Sequence, residues 1–122
     1  MESVRFEPSV PIEIELAFDS PQAVSYALFK RPAGGTTYTT FASGTDEEGI
    51  EVSGHHHRVG PVPAGTTIKY RLIFGGNPGS PIKAEIVFRQ NGMALVDATY
   101  SERGACDQDG VAVRSREITF NA

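Results

Sequence analysis

Three consecutive histidines, His55, His56 and His57, are the residues of this chain best suited to chemistry. In an extended strand, neighbouring side chains point to opposite faces, so His55 and His57 would share one face. Two imidazoles on one face can bind zinc, copper or nickel when a third ligand arrives from elsewhere. The sequence therefore predicts a candidate metal site at His55 and His57, completed by a carboxylate such as Glu51.

Gly49, followed after five residues by His55-x-His57, resembles the start of the metal motif of the cupins. That resemblance implies a small metal-binding β-barrel protein, or an enzyme with an open coordination position. It ends at His57, since residues 58–63 contain no carboxylate and all three histidines lie in one run. The alternative interpretation of the run is a polar loop or edge strand beside Gly54.

Asp107 and Asp109, followed by Gly110, resemble the opening of a calcium-binding loop. An EF-hand would need a glutamate at the twelfth position of that loop, where Ile118 stands instead. A looser calcium site requires carboxylates from the acidic segment 46–48, and the alternative is an Asp-Gly turn that leads into the last strand. The cofactor prediction is therefore zinc or calcium at one of these two places, with no cofactor as the preferred interpretation.

The signals for nucleophilic catalysis are weak. The chain has no Gly-x-Ser-x-Gly elbow. Cys106, the only cysteine, lies in a polar segment where we expect an exposed thiol, and its acidic neighbours oppose the thiolate that a nucleophile needs. These features favour a protein that is not an enzyme, although they leave enzymatic activity open.

Four arginines occupy positions that predict outward-facing side chains on strands: Arg71, Arg89, Arg114 and Arg116. If their strands adjoin, one sheet face is basic and could bind an acidic ligand through bidentate contacts. The alternative is the ordinary polar face of a sheet, neutralised by nearby acids. Tyr38 and Phe41 could form a platform for a glycan, although the chain has no tryptophan. The candidate ligand-binding residues are therefore Arg71, Arg89 and Tyr38.

Apolar residues alternate with a period of two in segments 12–18, 24–28 and 68–74, which predicts strands with one face in the core. Three tyrosines, Tyr26, Tyr70 and Tyr100, fall on core positions. Weaker strands are predicted at 3–7, 36–43, 48–54 and 111–120, and the last alternates so poorly that we expect a bulge near Ser115.

Asn91-Gly92 is the strongest turn signal of the chain. A two-residue loop there would pair Ile86 with Asp97 and bring a carboxylate into the core, where an unpaired charge is costly. A three-residue loop pairs Ile86 with Val96, so that the core-side partners are apolar. We therefore predict the three-residue loop.

The spacing of strands and turns predicts an all-β fold: a two-layer antiparallel β-sandwich, immunoglobulin-like or jelly-roll, with eight or nine short strands and little or no helix. The 122 residues fit one domain, 1–122. A net charge of −4 argues against a nucleic-acid partner, which would need a strongly basic surface.

The N-terminal segment contains no signal-peptide pattern, and no apolar run is long enough to span a membrane. The expected location is cytoplasmic, and leaderless secretion or excision from a longer chain is compatible with the same sequence.

The preferred hypothesis is a non-enzymatic binding or protein-interaction module that uses loops at the ends of the sandwich: 43–49, 53–65, 75–81 and 103–110. Its partner would be a protein, a small molecule or a glycan. The alternatives are the metal-binding protein described above and a structural subunit that assembles with copies of itself through exposed edge strands.

Overall fold

The computed structural model describes residues 2–18, 23–46 and 55–122. These residues form nine strands and no helix, which confirms the all-β prediction. The strands are β1 (Glu2–Arg5), β2 (Ile12–Phe18), β3 (Ala23–Arg31), β4 (Thr39–Asp46), β5 (His55–Val59), β6 (Thr66–Gly75), β7 (Pro81–Gln90), β8 (Met93–Ala105) and β9 (Val111–Asn121). Within the described ranges, no helix has the length and apolar character needed to cross a membrane.

The strands form two sheets packed against each other. The first sheet has the order β1-β9-β6-β3-β4 and the second has the order β5-β2-β7-β8. Every neighbouring pair is antiparallel except one: β1 runs parallel to β9, with Val4 opposite Phe120. The structure therefore has the predicted two-layer sandwich, with one parallel pair at the edge of an otherwise antiparallel arrangement. β2 belongs to the other sheet, so β1 and β2 do not form a hairpin.

The core lies between the sheets and is built from the alternation that the sequence shows. In β2, the even-numbered residues from Ile12 to Phe18 are buried, while the intervening side chains are exposed or half-buried. The largest fully buried side chains are Tyr70, Phe74, Phe88, Phe120, Ile12, Ile14, Leu16, Leu28, Ile68, Leu72, Ile86 and Ile118. Burying one such side chain contributes about 1.5–3 kcal/mol, so this layer fixes the stacking of the sheets.

The hairpin between β7 and β8 differs from the prediction. Gln90 pairs with Met93 across a two-residue loop, in which Asn91 and Gly92 have φ values of 53° and 75°. Positive φ at both positions is the mirror-image turn whose twist suits a hairpin. The three-residue loop was therefore wrong, because local turn chemistry determined the loop length.

A bulge in β8 prevents the pairing of Ile86 with Asp97. A two-residue loop would otherwise impose this pairing and bring a carboxylate into the core. The register shifts between Val87 and Arg89, and Asp97 adopts a left-handed φ of 58° within the bulge. Ile86 consequently pairs with Tyr100, and Asp97 is exposed. Val96, predicted to face the core, is 81% exposed.

The predicted bulge near Ser115 is also absent. β9 pairs with β6 in one continuous register, from Phe120 opposite Thr66 to Val111 opposite Gly75. In a regular strand, Val111 lies on the face opposite to Ile118 and Phe120, so these apolar residues cannot all be buried. β9 stays regular and leaves Val111 exposed on the outer face. Arg114 and Arg116 consequently have the inward parity of Ile118 and Phe120, so their predicted outward placement was wrong.

We predict that Asp97→Val lowers the free energy of unfolding by about 2 kcal/mol, because a β-branched side chain is strained at positive φ. Asp97→Gly should cause no loss, since glycine adopts this conformation freely. Thr99→Gly is the matched control on the same strand, and it should cost up to about 1 kcal/mol. Urea denaturation measures all three, and a loss in Asp97→Gly equal to that of Thr99→Gly would contradict the role of the bulge.

Candidate functional site

Several strand connections meet at one end of the sandwich. β3 begins at Ala23 opposite Gly75, where β6 ends, and Gly75 is also opposite Val111, where β9 begins. Pro81, the first residue of β7, lies opposite Ala105, the last residue of β8. The connections 76–80 and 106–110 therefore lie at the same end, which we call the loop end.

The two connections of the loop end are joined by backbone hydrogen bonds. Gly76 N donates to Gly110 O at 2.8 Å, and Gly79 N donates to Cys106 O at 2.9 Å. Cys106 N in turn donates to Ser80 O at 2.9 Å. These bonds hold two loops from different strand pairs in one fixed arrangement.

Parts of the four predicted loop segments are strands in the structure. Residues 43–46 belong to β4 and residues 55–59 to β5, so these parts of the predicted segments 43–49 and 53–65 are strand. Segments 75–81 and 103–110 contain the two connections of the loop end. Residues 47–54, which include the predicted strand 48–54, Glu51 and most of the acidic segment, lie outside the described residues.

Asp107 and Asp109 lie in a turn that is closed by hydrogen bonds from backbone amides to the carboxylate of Asp107. Asp107 Oδ1 accepts hydrogen bonds from Asp109 N at 2.9 Å and from Val111 N at 3.1 Å. This is the Asx-turn geometry of the Asp-Gly alternative. In the parts of the chain that the structure describes, no group of three His, Cys, Asp or Glu side chains could hold a metal ion.

Cys106 is buried, with 4% of its surface exposed. The expectation of an exposed thiol was wrong, because the backbone of this residue is bonded to the neighbouring loop on both sides and its side chain joins the core cluster.

The histidine run opens β5, the edge strand of the second sheet. β5 pairs with β2, so that His55 lies opposite Leu16 and His57 opposite Ile14, both of which are buried. His55 and His57 therefore face inward and are half-buried, whereas His56 is exposed on the outer face, with Nδ1 3.6 Å from Glu15 Oε2.

Tyr26 reaches the two inward imidazoles from β3 of the facing sheet. Its Oη is 2.6 Å from His57 Nε2, a hydrogen bond that crosses between the sheets. Its ring centroid is 5.2 Å from that of His55 and 5.5 Å from that of His57. We call these three residues the imidazole–phenol cluster.

His55 Nε2 is shielded from solvent and has no hydrogen-bond partner among the described residues. An unsatisfied buried polar atom costs free energy, and its presence in a native fold calls for an explanation. Burial is the largest cause that lowers the pKa of His57 below its usual value of 6.5, and the neighbouring His55 and His56 lower it further. The imidazole of His57 is therefore neutral at pH 7.

Gly44 determines the position of the Tyr26 ring. It lies directly opposite Tyr26 in the β3–β4 pair. A Cβ atom at Gly44 would lie 2.5 Å from Tyr26 Oη and 2.6 Å from Cζ, which is well inside van der Waals contact. The absence of a side chain at this position is therefore what allows the phenol to reach His57.

The four arginines do not form one basic face. Arg71 is exposed on the outer side of the first sheet, while Arg89 lies in the second sheet with Nε 3.8 Å from Glu15 Oε2. Arg116 faces inward and contacts Glu102. The hypothesis of a single basic surface is therefore corrected, because the strands that carry these residues lie in two different sheets.

Tyr38 precedes β4 and is surrounded by charged groups. Its hydroxyl donates to Glu117 Oε1 at 2.5 Å, and Arg31 and Lys69 lie 4.9 Å and 5.4 Å from the ring centroid. Burial, the hydrogen bond to Glu117 and the negative charge of Glu117 raise the pKa of Tyr38 to about 12. Phe41 packs against the core instead, so the two rings do not form the expected platform.

A buried carboxylate, which sequence reasoning missed, lies near the opposite edge of the sandwich. Glu102 is 7% exposed, accepts a hydrogen bond from the Tyr70 hydroxyl, and lies 3.1 Å from Arg116 Nε. Arg116 also lies 3.3 Å from Glu2 and 4.9 Å from the ring centroid of Tyr100. Burial and the hydrogen bond to Glu102 raise the pKa of Tyr70. The correct register of β8, which places Glu102 on the same face as Tyr100, is the signal that would have revealed this group.

No family model, curated protein or solved structure matches this chain.

We predict that Gly44→Ala lowers the free energy of unfolding by about 1–3 kcal/mol, because the added methyl group must displace the Tyr26 ring. Gly75→Ala on β6 is the matched control, since nothing lies within 4 Å of the Cβ position there. Chemical denaturation measures the stability of both variants. Equal effects of the two substitutions would contradict the close contact between Gly44 and Tyr26.

We predict that ionisation of Tyr38 lowers the free energy of unfolding at alkaline pH. Its folded pKa of about 12 lies above the value near 10 of an unfolded tyrosine, so the folded state holds more protons between these values. The free energy of unfolding should therefore fall as pH rises from about 10 to about 12. Phenolate absorbance should show an ionisation near pH 12 that is missing in Tyr38→Phe and lowered in Glu117→Gln. An unchanged titration in Tyr38→Phe would contradict the assignment.

Proposed function

We propose that this chain is a binding or protein-interaction module whose recognition surface is the loop end. The observation that carries the proposal is the set of backbone hydrogen bonds between the connections 76–80 and 106–110. Loops at the ends of a sandwich are the usual place for recognition, because the sheets hold them in position while their side chains remain free for contacts. The same proposal includes an immunoglobulin-like arrangement of the sandwich.

A fixed loop pair is favourable for binding because less conformational freedom is lost when a partner docks. The loop end is also chemically suited to a partner. Asn77, Gln108 and Asp109 are exposed at its surface, and the carboxylate of Asp107 is exposed beside them. These groups can accept hydrogen bonds and salt bridges from lysine or arginine, so the preferred partner is a protein with a basic recognition segment.

A photo-crosslinking amino acid at Gln108 tests the proposal in extract of the source cells. The same probe at Ser101, exposed on β8 away from the loop end, is the matched control. We expect one protein to crosslink at Gln108 and not at Ser101. The purified partner should then bind the unmodified chain with a dissociation constant that rises at least tenfold in Asp109→Lys and stays unchanged in Thr99→Lys. Equal crosslinking from both positions, or equal affinity in both lysine variants, would refute the loop end as the recognition surface.

We predict that Gly110→Ala disrupts the loop end. Gly110 has a φ of 77°, and a Cβ atom there would lie 2.1 Å from Gly76 O. Gly92 has nearly the same φ, 75°, with nothing within 4 Å of its Cβ position. Both alanine variants suffer the strain of positive φ, about 1 kcal/mol, and only Gly110→Ala also breaks the contact between the loops. The free energy of unfolding should therefore fall by about 2 kcal/mol more in Gly110→Ala.

A further inference from the structure

We propose that His55, His57 and Tyr26 bind a divalent transition-metal ion, copper(II) in preference to zinc. The site lies between the edge strand β5 and strand β3 of the facing sheet. This inference is independent of the recognition surface proposed for the loop end, since no residue is shared by the two.

The three side chains come from two separate sheets and lie in contact with one another through the Tyr26 ring. His55 and His57 stand on the inner face of β5, and both imidazole rings contact the ring of Tyr26, with centroids 5.2 Å and 5.5 Å away. The Oη of Tyr26 and the Nε2 of His57 are already 2.6 Å apart. His55 Nε2, without a hydrogen-bond partner among the described residues, remains for the ion to satisfy.

The donor set favours copper(II). It consists of two imidazole nitrogens and one phenolate oxygen, and the hydrogen bond between Tyr26 Oη and His57 Nε2 shows that two of these donor atoms already lie side by side. Copper(II) binds more tightly than nickel(II) or zinc to a given set of ligands.

The surroundings hold the donors in place. The ring of Phe18 lies 5.7 Å from His55, 5.8 Å from Tyr26 and 6.3 Å from Phe74. Gly44 leaves the space that the Tyr26 ring occupies. An aromatic wall of this kind restricts the motion of the ligands and limits access by water.

Binding converts the phenol of Tyr26 into a phenolate. The O–H bond breaks, its proton passes to solvent, and the electron pair that remains on oxygen forms the bond to copper(II). The two imidazoles bind through nitrogen lone pairs as neutral ligands. One proton is released for each ion bound, so affinity increases with pH.

The test uses the full chain, stripped with a chelator and titrated with copper(II) chloride in a calorimeter and an absorption spectrometer. We expect one equivalent to bind, with a visible phenolate-to-copper charge-transfer band and a rise in melting temperature. Zinc and nickel chloride, titrated separately, should bind at least tenfold more weakly. Zinc binding as tight as that of copper would overturn the choice of metal.

Four variants locate the site. His55→Ala and His57→Ala should weaken copper binding at least 100-fold, and Tyr26→Phe should remove the charge-transfer band and weaken binding at least tenfold. His56→Ala, on the outer face of the same strand, should change neither. Since Tyr26→Phe keeps the ring, the melting temperature of its metal-free form checks that the fold is intact. An undiminished band in Tyr26→Phe, a loss in His56→Ala equal to that in His57→Ala, or no binding by the unmodified chain would overturn the proposal.

Discussion

The apolar layer between the two sheets determines where polar chemistry is available in this protein. Its inward side chains are almost all aliphatic or aromatic, and burial of a polar group there costs free energy unless the group finds a partner. Glu102 does so beside Tyr70 and Arg116. His57 does so beside Tyr26 at the other edge of the sandwich. The two edges and the loop end are therefore places at which the fold combines polar groups with a fixed geometry.

Much of the fold could be predicted from sequence, because burial of one strand face leaves a direct record in the alternation of residues. The segments 12–18 and 68–74 form strands as expected. The hairpin register could not be predicted in the same way, since the turn at Asn91-Gly92 and the burial of apolar side chains require different pairings. A bulge at Asp97 satisfies both, and its energetic advantage depends on contacts that are distant in sequence.

The candidate sites also combine features that the local sequence predicts with contacts between residues that are distant in sequence. The shared face of His55 and His57 follows from the period of a strand, and the structure places both on the inner side of β5. Tyr26 was predicted as a core residue, which it is, but its contact with His57 joins residues from two sheets. No local pattern determines which strands of the two layers face each other, so the convergence of a phenol and two imidazoles is visible only in three dimensions.

The parallel pairing of β1 with β9 has a mechanical consequence. A force that pulls β1 toward its N-terminus and β9 toward its C-terminus acts along both strands in opposite directions. The hydrogen bonds of the pairs from Glu2–Ile118 to Arg5–Asn121 then carry the load together, and they must break almost simultaneously. An antiparallel pair pulled from adjacent ends would open one bond at a time. The arrangement of these two strands therefore opposes such a force by shear of the whole β1–β9 ladder, with no strand end from which it can be peeled apart.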